Sequence, residues 1–390
     1  MTTKNLLLLP LTGFLVVFFV VPMVWFLSFS VRQNEVANAM PATLAALAGW
    51  DGGTSVPASA FPSLAADLTA AGQSGAMADA ARRMNYDIPG LRSVLSRAGR
   101  AVRGAPSGTA FDAAFFKAID PVLATPAFFA VVQRTGRPLT DHYLLASVDL
   151  QRTPEGSLAR APADNRIYLD VLGRTLLISA TVTLICLILG FPVAVLLTTA
   201  SERVADWVLI LVMLPFWTSL LVRTTAWIVL LQKEGLINSA LRYLGIIDEP
   251  LAMIFNRTGV IIAMTHVLLP FMILPLYGVL RGIPPGYMRA AASLGARPVT
   301  AFRRVYLPLA MPGVAAGGLM VFILSLGYYV TPSLVGGPAD QMLSAFVADY
   351  TTTTGNWGLA SALGLLLLVV TLVLYFVAQR LSGGRAISLG

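Results

Sequence analysis

The chain has 390 residues, of which 56% are hydrophobic and only 12% charged, with a mean hydropathy of +0.75. A soluble surface needs about twice that share of charge, so disordered, collagen-like and disulfide-scaffold classes are excluded and an integral membrane protein is implied. The net charge of +8 rests on 27 Lys and Arg against 19 Asp and Glu, and the single cysteine, Cys186, sits in an apolar run, which excludes an intramolecular disulfide.

A helix crosses the hydrocarbon core with about 20 apolar residues. The first such stretch, Leu6–Val31, carries no charge. Ala37-Asn38-Ala39 resembles a signal-cleavage site, but signal cores are only about 7–15 residues long, so residues 1–31 are read as an uncleaved first transmembrane helix. Residues 32–168 then form one long polar segment with 13 basic and 11 acidic residues, read as an extracytoplasmic domain. Gly49–Ser59 and Gly99–Gly108 read as loops. Leu91, Val94, Leu95, Ala98 and Val102 fall on one helical face, ringed by Arg92, Arg97, Arg100 and Arg103. That basic face either meets a partner protein or is simply solvated. Further helices are expected over Asp112–Leu123, Pro126–Arg134 and Asp141–Leu150.

Five more spans follow, making up a core at 169–380, with a tail at 381–390. They are Thr175–Ser201, Trp207–Gln232 interrupted only by Arg223, Thr258–Leu280, Val305–Ala339 and Tyr350–Gln379. Prolines 192, 215, 270 and 275 are expected to kink them. The fold class is therefore an all-α membrane protein of six transmembrane helices, with a large helical insertion between the first and second.

With both termini placed in the cytoplasm, the inner segments hold nine basic residues, Arg281, Arg289, Arg297, Arg303 and Arg304 among them, against three in the short outer connections. This is the positive-inside pattern, and it accounts for the net charge without a nucleic-acid partner.

The connection between the fourth and fifth spans, residues 282–311, is unusually long. A Pro284-Pro285 start leads into the Ala-rich stretch Arg289-Ala290-Ala291-Ala292, then Gly295, then a basic segment that enters the membrane through Val305-Tyr306-Leu307-Pro308. Small residues permit another surface to approach closely, and Gly295 permits a sharp turn between two short helices.

This spacing resembles the EAA loop of ABC importer permeases, matched here at Ala290, Ala291, Gly295, Val305, Leu307 and Pro308; Arg289 stands where the family has Glu. Leu214-Pro215-Phe216-Trp217-Thr218 with Arg223 and Trp227, His266 with Leu269–Tyr277, and Leu326-Gly327-Tyr328-Tyr329 further resemble the spermidine/putrescine branch. The resemblance covers residues 169–380 and, more weakly, the first span. It implies a bacterial inner-membrane subunit that works by alternating access. Its implied partners are a cytoplasmic ABC ATPase dimer, a second homologous permease, an extracytoplasmic binding protein and the bilayer. It also implies a polyamine-like cargo.

No P-loop is present, so ATP and magnesium belong to the partner ATPase and no cofactor is expected on this chain. Neither paired carboxylates in the spans nor a Ser-His constellation supports catalysis, and the chain is read as no enzyme. The candidate pathway residues are Trp217, Thr218, Arg223, Trp227, Tyr277 and Tyr328, whose rings can hold a cation weakly. Each ring also has a plainer reading, as interfacial belt or packing. Arg223 either faces a cavity or partner or snorkels outward, and His266 reads as a packed, hydrogen-bonded residue ahead of a proton relay. Two other readings stand beside the polyamine one: a permease for another amine or amino-acid-like solute, and a stand-alone channel or secondary transporter.

Overall fold

The computed structural model describes residues 3–153 and 157–381, with the side chains of 3–8, 72–74, 164 and 381 outside the description. The tail expected at 381–390 therefore lies outside the described residues, apart from the backbone of Leu381. The chain divides into two compact units, residues 1–166 with 356–362, and residues 167–355 with 363–390.

The first unit begins with the apolar helix Leu9–Ser28, none of whose spanning window is buried. A helical cluster follows: Glu35–Ala39, Pro41–Ala46, Ala60–Ser74, Ala76–Met84, Leu91–Arg103, Ala113–Ile119, Pro126–Thr135 and His142–Ser147. A short antiparallel hairpin pairs Leu150–Arg152 with Leu158–Arg160. The basic helix occurs as the periodicity predicts, and Leu91, Val94, Leu95, Ala98 and Val102 are all buried on its inner face. Gly99, expected to open a loop, lies within that helix and is buried.

This unit has a core of its own. Phe61 packs edge-on against Phe129 at 5.2 Å and stacks on Phe116 at 6.2 Å, with Leu64, Leu68 and Leu95 beside them. Aromatic side chains bury more area than any others, which is how a segment this rich in Ala and Gly reaches a stable core. One polar contact pins the cluster from afar. Met40 precedes the Pro41–Ala46 helix and has no capping group, so the buried carboxylate of Asp67 accepts from the Ala42 and Thr43 amides at 3.2 and 2.7 Å and from the Thr43 hydroxyl at 2.7 Å.

In the second unit the helices Tyr168–Thr199, Arg257–Arg281 and Leu307–Gly327 pack together. Their crossing depends on glycine. A Cβ at Gly190 would stand 3.1 Å from Met272 Cγ, and one at Gly317 only 3.0 Å from the Met272 carbonyl oxygen and its Sδ. Small residues at such crossings let backbones approach in a medium where no hydrophobic drive pushes helices together. The helices run on through Pro192, Pro270 and Pro275.

Among the described residues five helices are long and apolar enough to cross a membrane: Leu9–Ser28, Tyr168–Thr199, Arg257–Arg281, Pro298–Gly327 and Trp357–Arg380. The sixth expected span differs. Trp207–Gln232 falls in a pair of helices, Glu202–Trp217 and Leu220–Tyr243, bent by 102° at their junction. The expected Val305–Ala339 span also ends early, at Gly327, with a separate short helix at Val330–Val335. Tyr350–Gln379 likewise begins later, at Trp357.

One titration is set by the first unit's packing. The His142 ring lies 5.1 Å from the Tyr86 ring, and burial, then the charges of Arg83 and Arg134, push its pKa well below 6.5. His142 thus stays neutral in the fold but takes a proton in the unfolded chain, so its contribution holds above the ordinary imidazole value and is lost as pH falls below it. The loss is at most about 1.4 kcal/mol per pH unit. His142→Gln should flatten the fall in melting temperature between pH 7 and pH 5 relative to wild type, measured on the purified chain in detergent; an unchanged slope would refute this.

Candidate functional site

Two regions of the second unit hold the candidate site residues. The first is the loop at 282–311. Gly286–Ser293 is helical, and the chain leaves it through Gly295 at φ +81°. The Ala296 amide donates to the Ala291 carbonyl at 3.0 Å and the Gly295 amide to that of Ala292 at 2.9 Å, the paired bonds of a Schellman turn. Most other residues at that φ strain the Cβ against the backbone by about 1–2 kcal/mol, asparagine and aspartate least. Pro298 then opens the next helix, which continues through a π-turn at Phe302–Tyr306, with Leu307 and Pro308 just beyond, into the span that ends at Gly327.

The surface of this loop is open. Leu294 is 88% exposed, Val299 69% and Tyr287 52%, while Arg289, Ala290, Arg297, Arg303 and Arg304 are exposed around them. The segment holds no acidic residue, and Arg289 makes no ion pair among the described residues. Apolar knobs ringed by arginines make a face suited to an acidic, apolar groove.

The second region is where the helices break. Thr218 and Ser219 are extended, with ψ of 142° and 140°, three and four positions after Pro215. The break frees carbonyls, and nearby side chains take them. Thr218 Oγ1 donates to the Pro215 carbonyl at 3.1 Å, and Arg223 Nη2 donates to the Thr218 carbonyl at 3.0 Å. Arg223 thus turns back onto its own helix's broken end, while its Nε is buried without a partner among the described residues.

The other break lies at Tyr328 and Tyr329, where Ser344 Oγ donates to the Tyr328 carbonyl at 2.8 Å. The two breaks meet: the buried hydroxyls of Thr224 and Thr331 lie 3.3 Å apart. One helical turn on from Thr224, Trp227 Nε1 donates to His266 Nδ1 at 3.2 Å, which places the imidazole proton on Nε2. Non-helical backbone at membrane depth is tolerated only where protein covers it or it lines a cavity.

Of the expected pathway residues, Thr218, Arg223 and Trp227 thus belong to the first break, and Tyr328 to the second. Trp217 projects its ring outward, at 75% exposed. Tyr277 stands apart, eleven positions along the helix from His266, or about 16 Å. Its ring lies 5.9 Å from the Arg281 guanidinium, nearer the loop. Thr224, Thr331 and Ser344 were not among the expected residues, because nothing in an apolar run distinguishes a threonine that faces another break from one that bonds its own helix. Among the described residues no cluster of three His, Cys, Asp or Glu could hold a metal ion.

If Arg223 closes the broken turn, Arg223→Met should lower the melting temperature in detergent by the equivalent of about 1–3 kcal/mol for an unpaired carbonyl. Arg223→Lys, which keeps one donor on a long stem, should recover part of it; equal loss in both variants would remove this role.

Comparison with known proteins matches residues 180–385 to the family "binding-protein-dependent transport system inner membrane component". The spermidine/putrescine transport system permease protein PotB of Salmonella typhimurium is 33% identical over 218 residues, 55% of this chain and 76% of that one. The inner membrane ABC transporter permease protein YdcU of Escherichia coli is 36% identical over 253 residues, 61% of this chain and 80% of that one. A crystal structure of a bacterial alginate ABC transporter in complex with alginate pentasaccharide-bound periplasmic protein aligns over 58% of this chain and 81% of its own, at 19% identity and a TM-score of 0.47. The family match, the two sequence relatives and the apolar helices agree: the chain is a multi-pass inner-membrane permease, not an enzyme, and it belongs to the binding-protein-dependent transport system inner membrane components of ABC importers.

Proposed function

We propose that this permease moves a small organic cation of the polyamine class, such as spermidine or putrescine, by alternating access driven from a cytoplasmic ABC ATPase dimer. The observation that carries the coupling half is the loop at 282–311, an exposed apolar face held rigid by its Schellman turn. Its second arm is continuous with the helix Pro298–Gly327, so a push on the loop acts along a single stiff element. That element reaches the Met272 crossing, where Gly317 leaves no slack. ATP and magnesium would sit on the ATPase, and this chain would bind neither.

The cargo reading draws on the likeness to the spermidine/putrescine permease. It agrees with rings at the helix breaks, since a ring face holds a cation by about 0.5–2 kcal/mol, weak enough for release. A second homologous permease would complete the pathway, and an extracytoplasmic binding protein would deliver the cargo. In this arrangement residues 1–31 form the first span, 32–168 lie outside, 169–380 make the core, and both termini are cytoplasmic. An amino-acid-like or other amine cargo is the second reading, favoured by the absence of any Asp or Glu from the spanning stretches at 175–201, 258–280 and 305–327.

Reconstitution with the ATPase, second permease and binding protein decides between them. ATP-dependent uptake of labelled putrescine or spermidine in excess of amino acids supports the first, and the reverse order supports the second. Flux through the permease alone would overturn both. Gly295→Val should abolish uptake and cargo-stimulated ATP hydrolysis by at least about tenfold, because a β-branched residue cannot hold the left-handed turn. Gly295→Asn, which tolerates that conformation, should retain part of the activity, and normal uptake by the valine variant would defeat the coupling assignment.

A further inference from the structure

The first unit contains an open cavity of about 650 Å3, lined wholly by its own residues. That volume is in the range of small-molecule sites, about 300–1,000 Å3. One wall is built by backbone: Arg32 and Leu139 form a β-bridge, the Gln33 amide donates to the Pro138 carbonyl at 3.1 Å, and the Thr140 amide donates to the Val31 carbonyl at 2.9 Å. This holds Arg137 and Leu139 at the mouth.

The lining is electropositive and ordered. Four arginines face two aspartates. Asp87 is shared between Arg83 and Arg134, at 2.7 Å to each, and Asp141 pairs with Arg152 at 2.6 Å. Arg83 is only 5% exposed, and its Nε also donates to Gln33 Oε1 at 3.1 Å, so its charge is fixed in place before any ligand arrives. Two carboxylates thus answer four guanidiniums, and Arg137, exposed, has no ion pair among the described residues. Neither ring nitrogen of His142, which also lines the cavity, has a hydrogen-bond partner among the described residues. The remaining surface is apolar, supplied by Tyr86, Leu139, Leu144 and Leu145.

From this geometry we infer that the cavity is a binding site for a small organic anion with an apolar body, a carboxylate or a phosphate ester. Its charged end meets Arg137 and the excess positive field, its body lies against Tyr86 and the leucines, and His142 offers one donor and one acceptor. A polyamine is repelled by the same field, so this site is separate from the path proposed for the cargo. The ligand would instead be a second molecule read by the permease.

Isothermal titration of the full chain in lipid nanodiscs tests this with four probes. Benzoate or phenyl phosphate should bind once per chain, and which of the two binds tighter identifies the charged group; neutral benzamide and cationic spermidine should bind at least about tenfold more weakly. Arg137→Glu should weaken the anion by at least about tenfold, and Arg137→Lys by much less. Leu139→Asp, at an exposed position, supplies an independent loss by placing a carboxylate at the mouth. No binding by either anion, unchanged binding in both acidic variants, or spermidine binding as tightly as the anions would each overturn the assignment.

Discussion

Hydrocarbon offers no water to a broken helix, so the carbonyls that a break releases must find donors within the protein or in a water-filled cavity. That constraint organises the second unit. Thr218 and Tyr328 leave the helical path, and Thr218, Arg223 and Ser344 supply the hydrogen bonds that their neighbourhoods lose. With the carbonyls of Pro215, Thr218 and Tyr328 answered, the two irregular segments abut through Thr224 and Thr331, and the Trp227–His266 pair sits beside them. Polar backbone is thus held at a bend of 102° and at a helix end, and no carboxylate lies at Thr218, Ser219, Tyr328 or Tyr329 themselves.

The same requirement explains the limits of the sequence. Hydropathy identifies apolar length, and it placed the long helices near Tyr168–Thr199 and Arg257–Arg281 to within a turn or two. It does not detect two extended residues inside an apolar run, so Trp207–Gln232 read as one span. Pro215 marked the place as a kink, but a kink and a reversal differ only in whether donors such as Arg223 lie within reach, which is a three-dimensional fact. The loop was more legible. Glycine four positions after paired alanines has one strong structural meaning, and the left-handed φ of Gly295 expresses it.

In the polar segment the strong helical stripe of Leu91–Arg103 was readable because its apolar and basic residues alternate at helical spacing. Ala60–Ser74 and Ala76–Met84 were not read, since alanine marks a buried face only weakly and Ala76–Met84 also buries Arg83 on that face. Long-range polar contacts were invisible for a different reason. Asp67 caps a helix that begins 26 positions before it, and Asp87 joins two arginines 51 positions apart. No spacing rule reaches that far.

The phenylalanine-rich core of the first unit is built entirely from residues between Val36 and Val132. A ribosome delivers those residues as one uninterrupted stretch, before Tyr168 and every helix of the second unit has been made. Short sequence separation lowers the entropy of loop closure that must be met before contacts form. This hydrophobic cluster can therefore close while the rest of the polypeptide is still being synthesised, and the nascent chain need not keep Phe61, Phe116, Phe128 and Phe129 unburied until translation ends.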